Sequence, residues 1–327
     1  MKRLGTILLA ALLVGTLAVT AFGEPLKIGI SKIMAHPALD AVEQAVKDTL
    51  AAAGYTDIEY VLGDAQLDFG IAVSIAQNFQ AQNVDLVVAI ATPTAQAAAQ
   101  VYDGSDVPVI FAAVTDPVAS ELIPSATDPT GYGNITGVSD LIPVPSHLAL
   151  LKQLSSDIVK VGVVFNPGEV NSVVLTDMAE EAAPGLGLEI VTAAADSSAN
   201  VPLAAQSLIG RVDAYYVTTD NTIVSAIDAI LAASVEAAVP FLMADSTSLP
   251  YATLTAGFDY YVHGQAVGDV VLQVLGGAAP NTIPAVYQED AEVKLNLDVA
   301  GLIGFDFPTS VIEQAAAILY GGIEFAK

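Results

Sequence analysis

A strand-like run closed by a polar turn occurs twice in this chain and constrains its architecture more than any other feature. At 212–221 the sequence Val-Asp-Ala-Tyr-Tyr-Val-Thr-Thr-Asp-Asn runs into a helix-like segment at 222–230, and at 84–94 the sequence Val-Asp-Leu-Val-Val-Ala-Ile-Ala-Thr-Pro-Thr runs into another at 95–101. An unbroken apolar run suits a parallel strand buried on both faces. Thr, Asp and Asn placed where such a strand stops suit a ligand site at the carboxyl ends of the strands. The correspondence extends further: Lys27 recurs as Lys160, Asp85 as Asp213 and Pro108 as Pro240, at offsets of 133, 128 and 132 residues. The chain therefore carries an internal repeat of about 130 residues.

Each repeat alternates strand and helix. The first has strands at 26–30, 58–62, 84–91, 107–114 and 135–139, with helices at 38–50, 69–80 and 95–101; the second has strands at 159–165, 188–193, 212–217 and 239–243, with helices at 173–183, 201–210 and 222–230. Such alternation calls for a parallel sheet with helices on both faces, so the expected fold is α/β, with two doubly wound parallel-sheet lobes. The tail, read as a helix at 260–275, a strand at 285–297 and a closing helix at 310–320, belongs to no third repeat and has one helix to give each lobe. Chain crossings near Asp140, Phe258 and Val293 would make a three-stranded hinge. Residues 24–140 plus about 258–292 then form one lobe and 141–257 plus about 293–327 the other, closing around a ligand.

With 54% hydrophobic and 14% charged residues in 327, the chain can bury one large or two ordinary cores. Part of the apolar content lies at 1–23, where Lys2 and Arg3 precede an apolar core of 13 residues (7–19) and Ala21-Phe22-Gly23 offers small residues to a signal peptidase. That core is shorter than the roughly 20 residues a spanning helix needs, so a cleaved signal peptide is expected and the product is periplasmic or secreted. No Cys exists to carry a lipid anchor, a disulfide, a thiol nucleophile or a thiolate-held metal. Acidic residues outnumber basic ones 36 to 10, and 36 to 8 without Lys2 and Arg3, a balance that disfavours nucleic acid and keeps a surface soluble.

Catalytic and cofactor signatures are missing from the sequence. No G-x-S-x-G accompanies the three His residues, His36, His147 and His263, whose positions beside Pro, Ser and Gly suggest surface or capping roles. No His pair has zinc spacing, and no glycine-rich loop has nucleotide-binding context, so neither enzyme, metal nor cofactor is expected.

Polar turns at strand ends do converge. They place Ser31 and His36, Thr92 and Thr94, Thr115 and Asp116, Asn166, Asn171 and Ser172, Thr219, Asp220 and Asn221, and Asp245 around the expected cleft. Each taken alone is as good a helix cap as a ligand contact. Together, hydroxyls at helix N-termini can hold a carboxylate without Arg, and an uncompensated Asp can hold an ammonium. The turns at Thr92, Thr94 and Thr115 are expected to take the carboxylate of an amino acid, with Asp220 or Asp245 across the cleft, or Asp116 as a rival, taking the amine.

Six stretches carry a family resemblance: Ile-Gly-Ile-Ser-Lys-Ile-Met-Ala-His-Pro-Ala-Leu-Asp at 28–40, Ala-Ile-Ala-Thr-Pro-Thr-Ala-Gln at 89–96, Ala-Val-Thr-Asp-Pro at 113–117, Asn-Ile-Thr-Gly-Val-Ser-Asp at 134–140, Phe-Asn-Pro-Gly-Glu-Val-Asn-Ser at 165–172 and Thr-Asp-Asn-Thr at 219–222. The chain resembles ABC-transporter substrate-binding proteins of the tryptophan/tyrosine uptake type over nearly all its length after residue 23. The resemblance implies a type I periplasmic-binding-protein fold, an aromatic amino acid as ligand and a membrane permease as partner; the chain is expected to be a monomer. It departs from many members in lacking a lipid-carrying Cys. A ligand-sensing receptor domain of the same fold is the rival reading, followed by a sugar or nucleoside binder, which the absence of Trp disfavours.

Overall fold

The computed structural model describes residues 25–288 and 291–326; the segment read as a signal peptide lies outside them. The first repeat builds β1 (Leu26–Lys32), α1 (Pro37–Ala52), β2 (Ile58–Asp64), α2 (Phe69–Ala81), β3 (Leu86–Ile90), α3 (Thr92–Val101), β4 (Val109–Ala112) and β5 (Ile135–Ser139). The second builds α4 (Val144–Leu154), β6 (Lys160–Phe165), α5 (Val170–Ala182), β7 (Glu189–Ala194), α6 (Val201–Ser207), β8 (Ala214–Val217), α7 (Asn221–Val224), α8 (Ile227–Ala237), β9 (Phe241–Met243) and β10 (Leu254–Gly257). The remainder supplies α9 (Tyr260–Leu275), β11 (Val286–Tyr287), β12 (Glu292–Asn296), α10 (Leu297–Ile303), α11 (Thr309–Gln314), β13 (Ala317–Tyr320) and β14 (Ile323–Ala326).

Two sheets result, ordered β2-β1-β3-β4-β5-β11 and β7-β6-β8-β9-β10-β12-β13-β14. Every pairing in the first is parallel; the second is parallel from β7 to β10 and mixed beyond. The strands of each repeat thus follow the order 2-1-3-4, so each sheet has a topological switch point beside its first strand, where the turns after β1 and β3, or β6 and β8, diverge. β3, β4 and β5 are buried at every residue, as the unbroken apolar runs required.

The repeated residues explain themselves as anchors. Asp85 Oδ2 accepts the Lys27 N–H at 2.8 Å, and Asp213 Oδ2 accepts the Lys160 N–H at 2.8 Å and that of Val159 at 2.9 Å. The carbonyls of Pro108 and Pro240 likewise accept from Val87 and Tyr215, each at 2.9 Å. In both lobes the same groups tie the first strand to the third and the third to the fourth.

The chain passes between sheets at three places: between Ser139 and Val144, between Gly257 and Tyr260, and between Tyr287 and Glu292. Four local readings need correction. The strand read at 285–297 is two, β11 and β12, because the third crossing interrupts it. The helix read at 222–230 breaks at Ser225 and Ala226 into α7 and α8. The closing helix read at 310–320 ends at Gln314, after which 317–320 pairs in parallel with β12 and antiparallel with β14; tertiary pairing overrides the helix preference of the Ala-rich run. β10, a buried strand of only four residues, went unread.

Candidate ligand-binding cleft

The carboxyl ends of β1, β3 and β4 face those of β6, β8 and β9 across a cavity lined by residues of both lobes. Two contacts bridge it. His36 Nε2 lies 3.9 Å from Asp245 Oδ2, and the Thr115 and Thr219 hydroxyls lie 3.5 Å apart. The lobes are therefore described in a closed arrangement.

On the first lobe, α3 begins directly at the cavity. Its N-cap is Ala91, with φ 81° and ψ 152°, a conformation that strains any residue bearing a Cβ, and no side chain caps the helix. The first N–H groups of a helix have no partner within it, so this end offers uncompensated donors beside Thr92. The Thr94 hydroxyl instead turns back onto the carbonyls of Ile90 (2.6 Å) and Ala91 (2.9 Å). Ala113, also left-handed (φ 50°), donates its N–H to His263 Nε2 at 2.9 Å, and His263 Nδ1 meets Gln288 Oε1 at 2.7 Å. Because Nε2 accepts, the imidazole carries its proton on Nδ1.

Carboxylates dominate the rest of the wall. Asp140, at the first crossing, accepts from the Tyr260 hydroxyl at 2.9 Å and the Thr115 hydroxyl at 3.4 Å, and burial raises its pKa. Asp220 caps α7 through Ile223 N–H at 3.0 Å, while its other oxygen takes the Asn166 N–H at 2.7 Å and the Ser172 hydroxyl at 2.5 Å. Burial, and then the neighbouring Glu169, push its pKa up to about 7. Asp245 accepts from Thr247 N–H and hydroxyl, each at 2.9 Å, and from the Ser248 hydroxyl at 2.6 Å. Glu169 is buried behind this wall, accepting from Thr222, Asn221 and Asn171. No Lys or Arg lines the cavity, and among the described residues none pairs with Asp140, Glu169 or Asp220. Met34, Ala38, Leu39 and Val224 give it an apolar side.

Of the residues expected at the cleft, His36, Thr92, Thr115, Asn171, Thr219, Asp220, Asn221 and Asp245 line the cavity. Ser31, Thr94, Asp116, Asn166 and Ser172 do not. Asn166 and Ser172 hold Asp220 from behind, and Asp116 caps its own turn through the N–H groups of Val118 and Ala119, each at 2.9 Å. Asp140, Tyr260 and Glu169 went unselected, although Asp140 and Glu169 stand inside the quoted motifs. His36 caps α1 as expected, through Nδ1 and the Ala38 N–H. The surface or capping roles expected for His147 and His263 are wrong: both are buried, His147 against the Tyr216 hydroxyl at 3.0 Å.

Comparison with known proteins matches residues 27–319 to the family model described as ABC transporter substrate binding protein. A tyrosine-binding protein of Clostridioides difficile (strain R20291) is 35% identical over 276 residues, covering 83% of this chain and 79% of the relative. An ABC domain from Streptococcus pneumonia solved in complex with L-Trp is 28% identical with a TM-score of 0.85, covering 90% of this chain and 100% of that one. A ligand-free, open substrate-binding protein with adhesive properties from Clostridium difficile is 31% identical with a TM-score of 0.67, covering 88% and 97%.

Proposed function

Because the chain belongs to the ABC transporter substrate-binding protein family, whose members bind a small molecule and hand it to a membrane permease, we propose that its own ligand is an aromatic amino acid: Trp, Tyr or Phe. The observation that carries this reading is the charge pattern of the cleft. Buried carboxylates line it without a Lys or Arg, so a cation relieves the wall, while the uncapped N-terminus of α3 opposite them suits an anion. A zwitterion meets both needs. Thr92 adds a hydroxyl to the carboxylate end, and Met34, Leu39 and Val224 leave an apolar face for a ring. Relatives that bind tyrosine and L-Trp support the same choice.

Closure of the lobes is the expected response to ligand. The closed contacts, and the better superposition on the L-Trp complex than on the open protein that is closer in sequence, support it. The protein acts as an extracytoplasmic binder rather than an enzyme, released by cleavage after residue 23 and working as a monomer. Thermal-shift measurements against the twenty amino acids, sugars and nucleosides test the ligand class. A ligand at 100 times its dissociation constant adds about 2.7 kcal/mol, so aromatic amino acids should raise the melting point clearly. An unmoved melting point with all three, together with a rise from a sugar, would refute the reading.

A further inference from the structure

We propose that Asn171 recognises the ligand's ammonium group, its side-chain carbonyl oxygen accepting an N–H bond inside the cleft. The assignment rests on the reading of the cleft as an amino-acid site and gives the amine to a residue other than the three cleft aspartates.

Asn171 stands in the first turn of α5, lines the cavity and is 2% exposed. Its Nδ2 donates to the Thr219 carbonyl at 3.0 Å and to Glu169 Oε2 at 3.3 Å. Both partners are acceptors only, so the amide cannot be turned round, and the carbonyl oxygen is fixed at the other end. That oxygen has no donor among the described residues, and it is the one solvent-shielded side-chain oxygen of the cavity lining in that position. A buried acceptor left without a donor is unfavourable, and a ligand N–H supplies what is missing.

The aspartates are differently placed. Asp220 takes three donors from its own lobe, Asp245 takes Thr247 and Ser248, and Asp140 takes Tyr260 and Thr115. Their oxygens hold turns together. Asp220 and Glu169 then act through charge: Glu169 bonds Asn171 on one side and Asn221 on the other, and among the described residues neither carboxylate pairs with a Lys or Arg. One residue makes the directional bond and two supply the field. The site so built selects a primary ammonium, which offers N–H donors as well as charge.

Calorimetric titration with the best-binding aromatic amino acid, its des-amino acid and its N-trimethyl betaine tests this. The parent should bind both analogues at least tenfold more weakly than the amino acid, the betaine because it keeps the charge and carries no N–H. Asn171→Ala should lose about tenfold on the amino acid and less than about twofold on the des-amino acid, the signature of a lost pairwise bond. Unchanged binding of the amino acid by Asn171→Ala, or an equal loss on both ligands, overturns the assignment. If the variant's melting profile shows that it does not fold, the betaine decides: binding equal to that of the amino acid overturns the assignment, and at least tenfold weaker binding supports it. A parent that binds no amino acid brings down the reading of the cleft itself, an outcome distinct from the others.

Discussion

Asp220 shows how a single buried group can tie stability to ligand. Its pKa of about 7, raised by burial and by Glu169, means that the folded protein holds a proton which the unfolded chain releases in the ordinary carboxylate range. Its contribution to ligand-free stability is therefore present at low pH and lost as pH rises through about 7. An ammonium nearby favours the ionised form, so affinity for the amino acid should rise from pH 5 to 7, where the ligand's own α-groups do not titrate. Calorimetry across that window should show proton release on binding, and Asp220→Asn should abolish the dependence. Equal pH slopes in parent and variant would rule this out. Sequence reasoning found Asp220 because it ends an apolar run at a helix start, where capping and ligand contact share one pattern. It could not separate Asp220 from Asp116, since that distinction depends on which way each turn faces. Nor could it see His147, His263 or Asp140 as buried, because polar residues carry no periodic signal and their burial follows from long-range partners: Tyr216, Gln288 and Tyr260.

The helix α9 joins the tail to the first lobe, and its contact with α1 depends on small residues. A Cβ added at Gly264 would lie 2.6 Å from the Val42 carbonyl oxygen and 2.7 Å from the Ala45 Cβ, and one at Gly268 would lie 2.6 Å from Thr49. Gly264→Ala must therefore push the helices apart, at a cost of about 1–3 kcal/mol. Gly301→Ala, on α10 with nothing within 4 Å of the added Cβ, should instead stabilise by up to about 1 kcal/mol through helix propensity. Denaturant melts of the two variants check both signs. Elements with an unbroken apolar run or a clear 3.6 period were legible, β5 to the residue and α2 and α9 to within one. Among the elements not read, β10 has four residues, β13 follows an Ala-rich lead-in and α7, which Asp220 starts, ends at Ser225 after four residues, while α4, with eleven residues, and β14 were also not read. The repeat was the strongest signal, because Asp85 and Asp213 do the same work at the starts of equivalent strands.

Across the whole molecule, two sheets with the same leading strand order face each other over three chain crossings, and the polar turns of both converge on one cavity. Threaded through the hinge is the first turn of α9, where Tyr260 reaches Asp140 at the first crossing and His263 reaches Gln288 at the third. The net charge of −26 leaves this surface strongly acidic, yet the carboxylates that matter for ligand are buried ones, shielded from salt, and among the described residues no Lys or Arg pairs with them. The central claim is that this cleft closes on the zwitterion of an aromatic amino acid. Its most direct test is calorimetric titration of the protein with L-Tyr, L-Trp and L-Phe at neutral pH. Saturable binding of at least one of them at a single site per chain is the predicted result; no heat from any of the three, with saturable binding of a sugar or nucleoside instead, would contradict it.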